Sequence, residues 1–164
     1  MISLVQTTRF EVKMYIDNVK LKGSLELVLR DQFGNIKEKR LERNLVVTAG
    51  LAYIVSRMKD ATATAMSHMA VGTNNTAAAA GNTTLNTETA RVALDSTTLV
   101  TTTVTNDSIQ YVATFGAGTG TGALVEAGIL NAASAGTLLC RTVFSVINKG
   151  ALDSLTVTWK VVAA

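Results

Sequence analysis

The chain has 164 residues, enough for one domain with a sizeable hydrophobic core. Hydrophobic residues make up 48% of it and charged residues 16%, which excludes an intrinsically disordered chain. Residues 1–60 hold 11 Lys and Arg against 7 Asp and Glu, whereas residues 61–164 hold 4 against 5. The first third is therefore charged and basic, and the remainder is nearly neutral, a composition that suits packing among other protein copies.

Alternating apolar and polar residues predict three strands near the N-terminus. The first covers Phe10–Ile16, the second Leu21–Leu29 and the third Ile36–Leu41. The residues between the second and third strands, Asp31 to Asn35, are typical of a hairpin turn. We interpret residues 1–43 as a charged, strand-rich arm outside the main domain, which then covers residues 44–164.

One short helix is predicted at about residues 49–58, near the beginning of this domain. Thr48 is a candidate N-cap. The side chains of Leu51, Ile54, Val55 and Met58 recur at helical spacing. We therefore expect this face of the helix to pack against the sheet.

The rest of the chain is predicted to be strands joined by polar or Gly-rich turns. The strand candidates are Ser67–Gly72, Leu99–Thr105, Ser108–Phe115, Ala123–Asn131, Thr137–Phe144 and Ser154–Val162. Residues 73–86 are interpreted as a long surface loop. These patterns predict a mainly β protein, an antiparallel β-sandwich of jelly-roll-like or immunoglobulin-like type with one short helix.

Candidate catalytic residues are scarce in this sequence. His68 is the single histidine and has no Cys or carboxylate at ligand spacing, so no metal site is predicted. The glycines between Gly116 and Gly122 lack the Lys-Ser/Thr that follows them in a phosphate-binding loop. Cys140 is the single cysteine, so an intramolecular disulfide is excluded. We predict no enzymatic activity and no cofactor.

Glu126 and Arg141 are the exceptions within the apolar C-terminal strands. They lie on neighbouring strand candidates, each in a run of otherwise apolar residues. A charged side chain that is buried needs a partner of opposite charge. We therefore predict that Glu126 and Arg141 form a structural cross-strand ion pair.

Six segments of the sequence, which occur in the same order as in a known group of proteins, resemble that group. They are Asn44–Leu51, Met69–Asn74, Asn82–Arg91, Glu126–Asn131, Gly136–Phe144 and Asn148–Trp159. Together they resemble virion structural proteins of tailed bacteriophages, which include head decoration and tail-fibre-associated proteins. The resemblance covers residues 44–162 and implies a non-enzymatic β-sandwich that assembles on the phage particle, typically as an oligomer.

From the resemblance and the basic first third, we expect a capsid decoration or cement protein. It would assemble in the host cytoplasm and lie on the capsid exterior as a homotrimer that bridges and stabilises major capsid protein subunits. The candidate contact residues are Arg9, Lys13, Lys20, Lys22, Lys37, Lys39 and Arg40.

The sequence also bears on three other partners: nucleic acid, a membrane and the host surface. Acidic residues are interleaved with the basic ones and no aromatic platform accompanies them, so direct nucleic-acid binding is not expected. No apolar run reaches the roughly 18 residues that span a bilayer, so no membrane contact is expected. The alternative function is a tail fibre, baseplate or adhesin-like module that contacts the host surface through Thr73–Asn86 or Gly116–Gly122.

Overall fold

The computed structural model describes residues 20–59 and 64–163. In chain order the elements are β1 (Leu21–Arg30), β2 (Ile36–Arg43), β3 (Leu45–Val46), α1 (Thr48–Lys59), β4 (His68–Gly72), β5 (Glu88–Ala93), β6 (Ser96–Val100), β7 (Ser108–Phe115), β8 (Gly122–Leu130), β9 (Leu138–Lys149) and β10 (Ser154–Ala163). They form sheet A, in the order β2-β1-β10-β7-β6, and sheet B, in the order β3-β9-β8-β4-β5. The predicted antiparallel β-sandwich with one short helix is confirmed.

The main hydrophobic core lies between the two sheets. Because side chains alternate along a strand, β10 directs Leu155, Val157 and Trp159 to the same side, where each is fully buried. Sheet B contributes Met69 and Ile129 to the same cluster. The alternation that predicted β10 from the sequence is therefore the pattern that fills this core.

Strand β1 belongs to the sandwich and not to a separate arm. All 10 of its residues pair with β10, and Leu25, Leu27 and Leu29 are at most 2% exposed in the core. The predicted boundary after residue 43 is therefore wrong for residues 21–43. The predicted strand Phe10–Ile16 lies outside the described residues.

Most other predicted strands are found, with two differences, the first of which has a local cause. The predicted strand Leu99–Thr105 is wrong, since β6 ends at Val100. In the loop that follows, the Asp107 carboxylate accepts hydrogen bonds from the backbone N–H groups of Thr103 (2.8 Å) and Val104 (2.9 Å). This side-chain capping satisfies backbone groups that a strand would have paired. Strand β5 was not predicted at all.

The loop 73–87, which joins β4 to β5, covers part of the outer side of sheet B. Leu85 of this loop and Val47, just before α1, pack with Ala70, Leu130 and Leu138 of the sheet in a second buried cluster. The surface loop predicted at residues 73–86 therefore covers part of the sheet.

The predicted buried face of α1 is wrong for three of its four residues, whereas Ile54 is half-buried and packs against the main core. Leu51, Val55 and Met58 are 47%, 64% and 82% exposed. The helix instead approaches β9 through Gly50, where an added Cβ would lie 2.1 Å from the Leu139 carbonyl oxygen.

The start of α1 also differs from the prediction. The Leu51 N–H donates to the Val47 carbonyl at 3.0 Å, so Val47 occupies the N-cap position. Thr48 is the first helical residue and not the N-cap.

Candidate partner-binding face

The structure brings Glu126 and Arg141 together on the outer side of sheet B, the side that faces away from sheet A. The Nε and Nη2 groups of Arg141 donate to Glu126 Oε2 at 2.9 and 2.7 Å. Arg141 on β9 faces Gly128 on β8, two residues from Glu126, so the two side chains meet diagonally across neighbouring strands. Both residues are 0% exposed, so each charge depends on the other for its compensation.

The same two side chains hold the loop 73–87 against the sheet. Glu126 Oε1 accepts a hydrogen bond from the Thr87 N–H at 2.8 Å. Arg141 donates to the Thr76 carbonyl (3.0 Å) and to Asn82 Oδ1 (3.1 Å). The ion pair therefore satisfies backbone groups of the loop, and its charged atoms are enclosed by the chain itself.

The residues usually responsible for catalysis or metal binding are dispersed. Within residues 20–59 and 64–163, no group of three or more His, Cys, Asp or Glu could hold a metal ion. His68 Nδ1 lies 2.8 Å from Ser67 Oγ. Burial raises the pKa of the Cys140 thiol to about 12, so the thiol is protonated at neutral pH. No described helix has the length and apolar character needed to cross a membrane.

The outer face of sheet A carries the basic side chains that remain accessible. Strands β2, β1 and β10 place Arg43, Ser24 and Lys160 in one cross-strand row. Lys22 and Lys39 lie on the same side of the sheet, and we call the surface formed by Lys22, Lys39, Arg43 and Lys160 the basic face.

The charges of the basic face are only partly compensated. Among the described residues of β1, β2 and β10, Glu26 is the one carboxylate on this side, and it pairs with Lys39 at 2.8 Å. Lys22 and Arg43 are exposed, and Lys160 is half-buried. The face therefore presents a local excess of positive charge.

The basic face is concave because short side chains lie among long ones. One depression of about 520 Å³ is lined by residues that include Lys22, Gly23 and Arg43. A second depression of about 260 Å³ is lined by residues that include Leu41 and Lys160. Ser24 lines both, so the two depressions adjoin and form one groove, which we call the outer groove.

Two of the predicted contact residues, Lys22 and Lys39, lie on the basic face. Lys20 is exposed just before β1. Arg9 and Lys13 lie outside the described residues.

The remaining two predicted contact residues are engaged within the chain. Lys37 donates to Asp153 at 2.6 Å. Arg40 lies on the opposite side of β2, where it donates to the carbonyls of Ser145 (2.6 Å) and Val146 (3.0 Å) on β9. Arg40 therefore joins the two sheets and is not part of the basic face.

Arg43 and Lys160 were missed as contact candidates. Lys160 falls on the polar side of the alternation in β10, which is a usable signal. Its position beside Ser24 and in line with Arg43 depends on the register of β1 between β2 and β10. No sequence pattern gives that register.

No family model, curated protein or solved structure matches this chain.

Proposed function

We propose that this chain is a non-enzymatic structural protein of a tailed-bacteriophage virion, a decoration protein on the capsid exterior. The observation that carries the proposal is the basic face of sheet A, which no described element covers. The resemblance of residues 44–162 to phage structural proteins supports the virion, and the basic face supports an acidic protein surface as the partner. That partner would be the major capsid protein.

The outer groove supplies the means of attachment. Lys22, Arg43 and Lys160 can donate charge-assisted hydrogen bonds to Asp and Glu side chains of a partner. Exposed charges of this kind mainly increase the association rate and the specificity of a contact. Many copies of one modest contact would stabilise a shell, because each bound copy favours the assembled state by mass action.

Self-association as a homotrimer is part of this proposal. Support comes from exposed apolar side chains, since Leu41 on β2 is 74% exposed and Met58 on α1 is 82% exposed. Large apolar side chains that are exposed in this way can form contact surfaces between proteins.

The test is binding to emptied, expanded heads of the corresponding phage, measured by co-sedimentation. The variant Lys22→Gln/Arg43→Gln/Lys160→Gln removes three positive charges from the outer groove. The control Ala117→Glu/Thr121→Glu/Ser134→Glu changes the net charge by the same amount at exposed positions elsewhere. We expect the Gln variant to bind at least about tenfold more weakly, a loss of about 1.4 kcal/mol, and the control to bind like the wild type.

Binding by the wild type should also weaken as the salt concentration rises, because salt screens exposed charges. Equal binding by the Gln variant and the wild type would contradict the basic face as the capsid contact. Loss of binding in the Glu control alone would instead place the contact at Gly116–Gly122 or at the turn that follows β8.

A further inference from the structure

Strand β2 is the last strand on one side of sheet A, and no described strand pairs with its outer edge, which we call the open edge. Among the described strands, β2 pairs only with β1. It is 8 residues long, and Ile36 and Leu41 on it are 53% and 74% exposed. A long edge strand with exposed apolar side chains is a surface on which a further strand can pair.

The side of β2 that faces sheet B carries charges of alternating sign. Glu38, Arg40 and Glu42 pair with Leu29, Leu27 and Leu25 of β1, whose side chains are in the core, so the three charges share this side of β2. A strand added at the open edge would pair best with these residues if it carried charges in the order basic, acidic, basic.

Residues 9–16 have that order. Arg9, Glu11 and Lys13 alternate with Phe10, Val12 and Met14, and this alternation predicts a strand with one charged and one apolar side. In one antiparallel register Arg9 faces Glu42, Glu11 faces Arg40 and Lys13 faces Glu38. The same register places Phe10 beside Leu41, which would cover the most exposed apolar side chain of β2.

A strand in this register cannot come from the same chain. Both edges of β1 are occupied, by β2 and by β10, so residues 9–16 cannot form a hairpin with β1. The antiparallel register places Ile16 beside Asn35, whereas Leu21 lies beyond the other end of β2, past the pair Ser24 and Arg43.

The length of β2 exceeds the reach of the connection between residues 16 and 21. The 8 residues of β2 span about 26 Å at about 3.3 Å per residue. The connection from residue 16 to residue 21 reaches about 18 Å when fully extended. The connection is therefore too short to bring the segment of one chain onto β2 of that same chain in this direction.

We propose that residues 9–16 of one copy pair antiparallel with the open edge of β2 in a second copy. A parallel register within one chain would also oppose unlike charges, since the charge pattern reads alike in both directions. Parallel pairs are slightly less stable per residue, and every described strand pair of this protein is antiparallel. A head-to-tail exchange of this kind closes into a ring when the rotation between copies permits it, and a trimer is one such ring.

This inference specifies how the copies associate, and it rests on the self-association in the proposed function but not on the capsid contact. It is tested without shells by engineered cysteines in the full-length protein. Arg9→Cys/Glu42→Cys places the two thiols opposite each other in the antiparallel register. Lys13→Cys/Glu42→Cys does so in the parallel register, and the native Cys140 is buried in both variants.

After mild oxidation, we expect the first variant to form disulfide-linked oligomers on a non-reducing gel and the second to remain monomeric. A disulfide within one chain in either variant would overturn the exchange between copies. Absence of any crosslink in both variants would overturn the pairing with β2.

A charge exchange tests the same register in a protein without new cysteines. Arg9→Glu places two like charges opposite each other, and we expect it to weaken self-association at least tenfold by analytical ultracentrifugation. Adding Glu42→Arg should restore the association, whereas Lys20→Glu, which makes the same change in charge outside the segment, should leave it unchanged. A monomeric wild type, or a double variant as weak as Arg9→Glu, would overturn the proposal.

Discussion

The two sheets differ in what covers their outer faces. On sheet B, the loop 73–87 covers the outer face, and the pair Glu126–Arg141 is sealed beneath it. On sheet A, no described element covers the outer face, and Arg43 and Lys160 border an open groove. Buried charges must be compensated within the chain, whereas exposed charges remain available to a partner. The buried charges of sheet B stabilise the fold, and the exposed charges of sheet A are those that we propose for association.

The largest effect should come from breaking the buried pair. Arg141→Ala leaves the Glu126 carboxylate buried without its partner and removes two hydrogen bonds to the loop 73–87. We expect the free energy of unfolding to fall by about 3–5 kcal/mol, measured by urea denaturation. Lys39→Ala, which breaks an exposed pair on sheet A, is the matched control and should cost about 1 kcal/mol or less. Similar losses for the two variants would remove the distinction between the sheets.

The next effect concerns how closely α1 packs on sheet B. Gly50→Ala would place a Cβ 2.1 Å from the Leu139 carbonyl oxygen, so the helix would have to move away from β9. We expect a loss of about 1–3 kcal/mol in the free energy of unfolding. Gly81→Ala is the control, because a Cβ at Gly81 meets no atom within 4 Å. An unchanged stability for Gly50→Ala would show that α1 is not closely packed against β9.

The carboxylate of Asp107, in the loop between β6 and β7 of sheet A, contributes to stability in a way that depends on pH. Hydrogen bonds from the N–H groups of Val104 and Thr103 hold the pKa of Asp107 well below its ordinary value of 3.8. Since the folded protein binds this proton more weakly than the unfolded chain, the ionised carboxylate stabilises the fold above pH 3.8, and that contribution is lost as the pH falls further.

We therefore expect Asp107→Asn to lower the thermal midpoint at neutral pH, with the difference from the wild type shrinking as the solution is acidified to about pH 2. Melting curves across this range provide the measurement. A difference that stays constant with pH would contradict the stabilising role of the ionised carboxylate.

The smallest effect on stability should come from the basic face itself. Lys22→Gln/Arg43→Gln/Lys160→Gln removes charges that make no buried ion pair in the described structure, so the free energy of unfolding should change by about 0.5 kcal/mol or less. The same variant is expected to lose shell binding, so its two measurements separate folding from association. A large loss of stability would instead give these residues a structural role.

Patterns of local origin were readable from the sequence. The two-residue alternation in Leu155, Val157 and Trp159 predicted β10, and Asp31 to Asn35 predicted the turn between β1 and β2, where Gly34 has a φ of 85°. The buried position of Glu126 and Arg141 followed from their apolar neighbours. Each of these signals lies within a short stretch of chain.

Features that depend on contacts between elements distant in the sequence could not be predicted from local patterns. The leucines of β1 have the pattern of any half-buried strand, so nothing local distinguished an arm from a central strand. The apolar residues of α1 suggested Leu51 and Met58 as the buried side, but close contact with β9 requires the small side of the helix at Gly50. The outer groove likewise exists only because the register aligns Arg43, Ser24 and Lys160.

The most direct test of the proposed function is the number of copies of this chain per virion, counted by quantitative mass spectrometry against the major capsid protein. A decoration protein bound to the shell through the basic face should approach one copy per major capsid subunit. A few copies in threefold or sixfold multiples would contradict that account and place the protein in a fibre or baseplate of the tail.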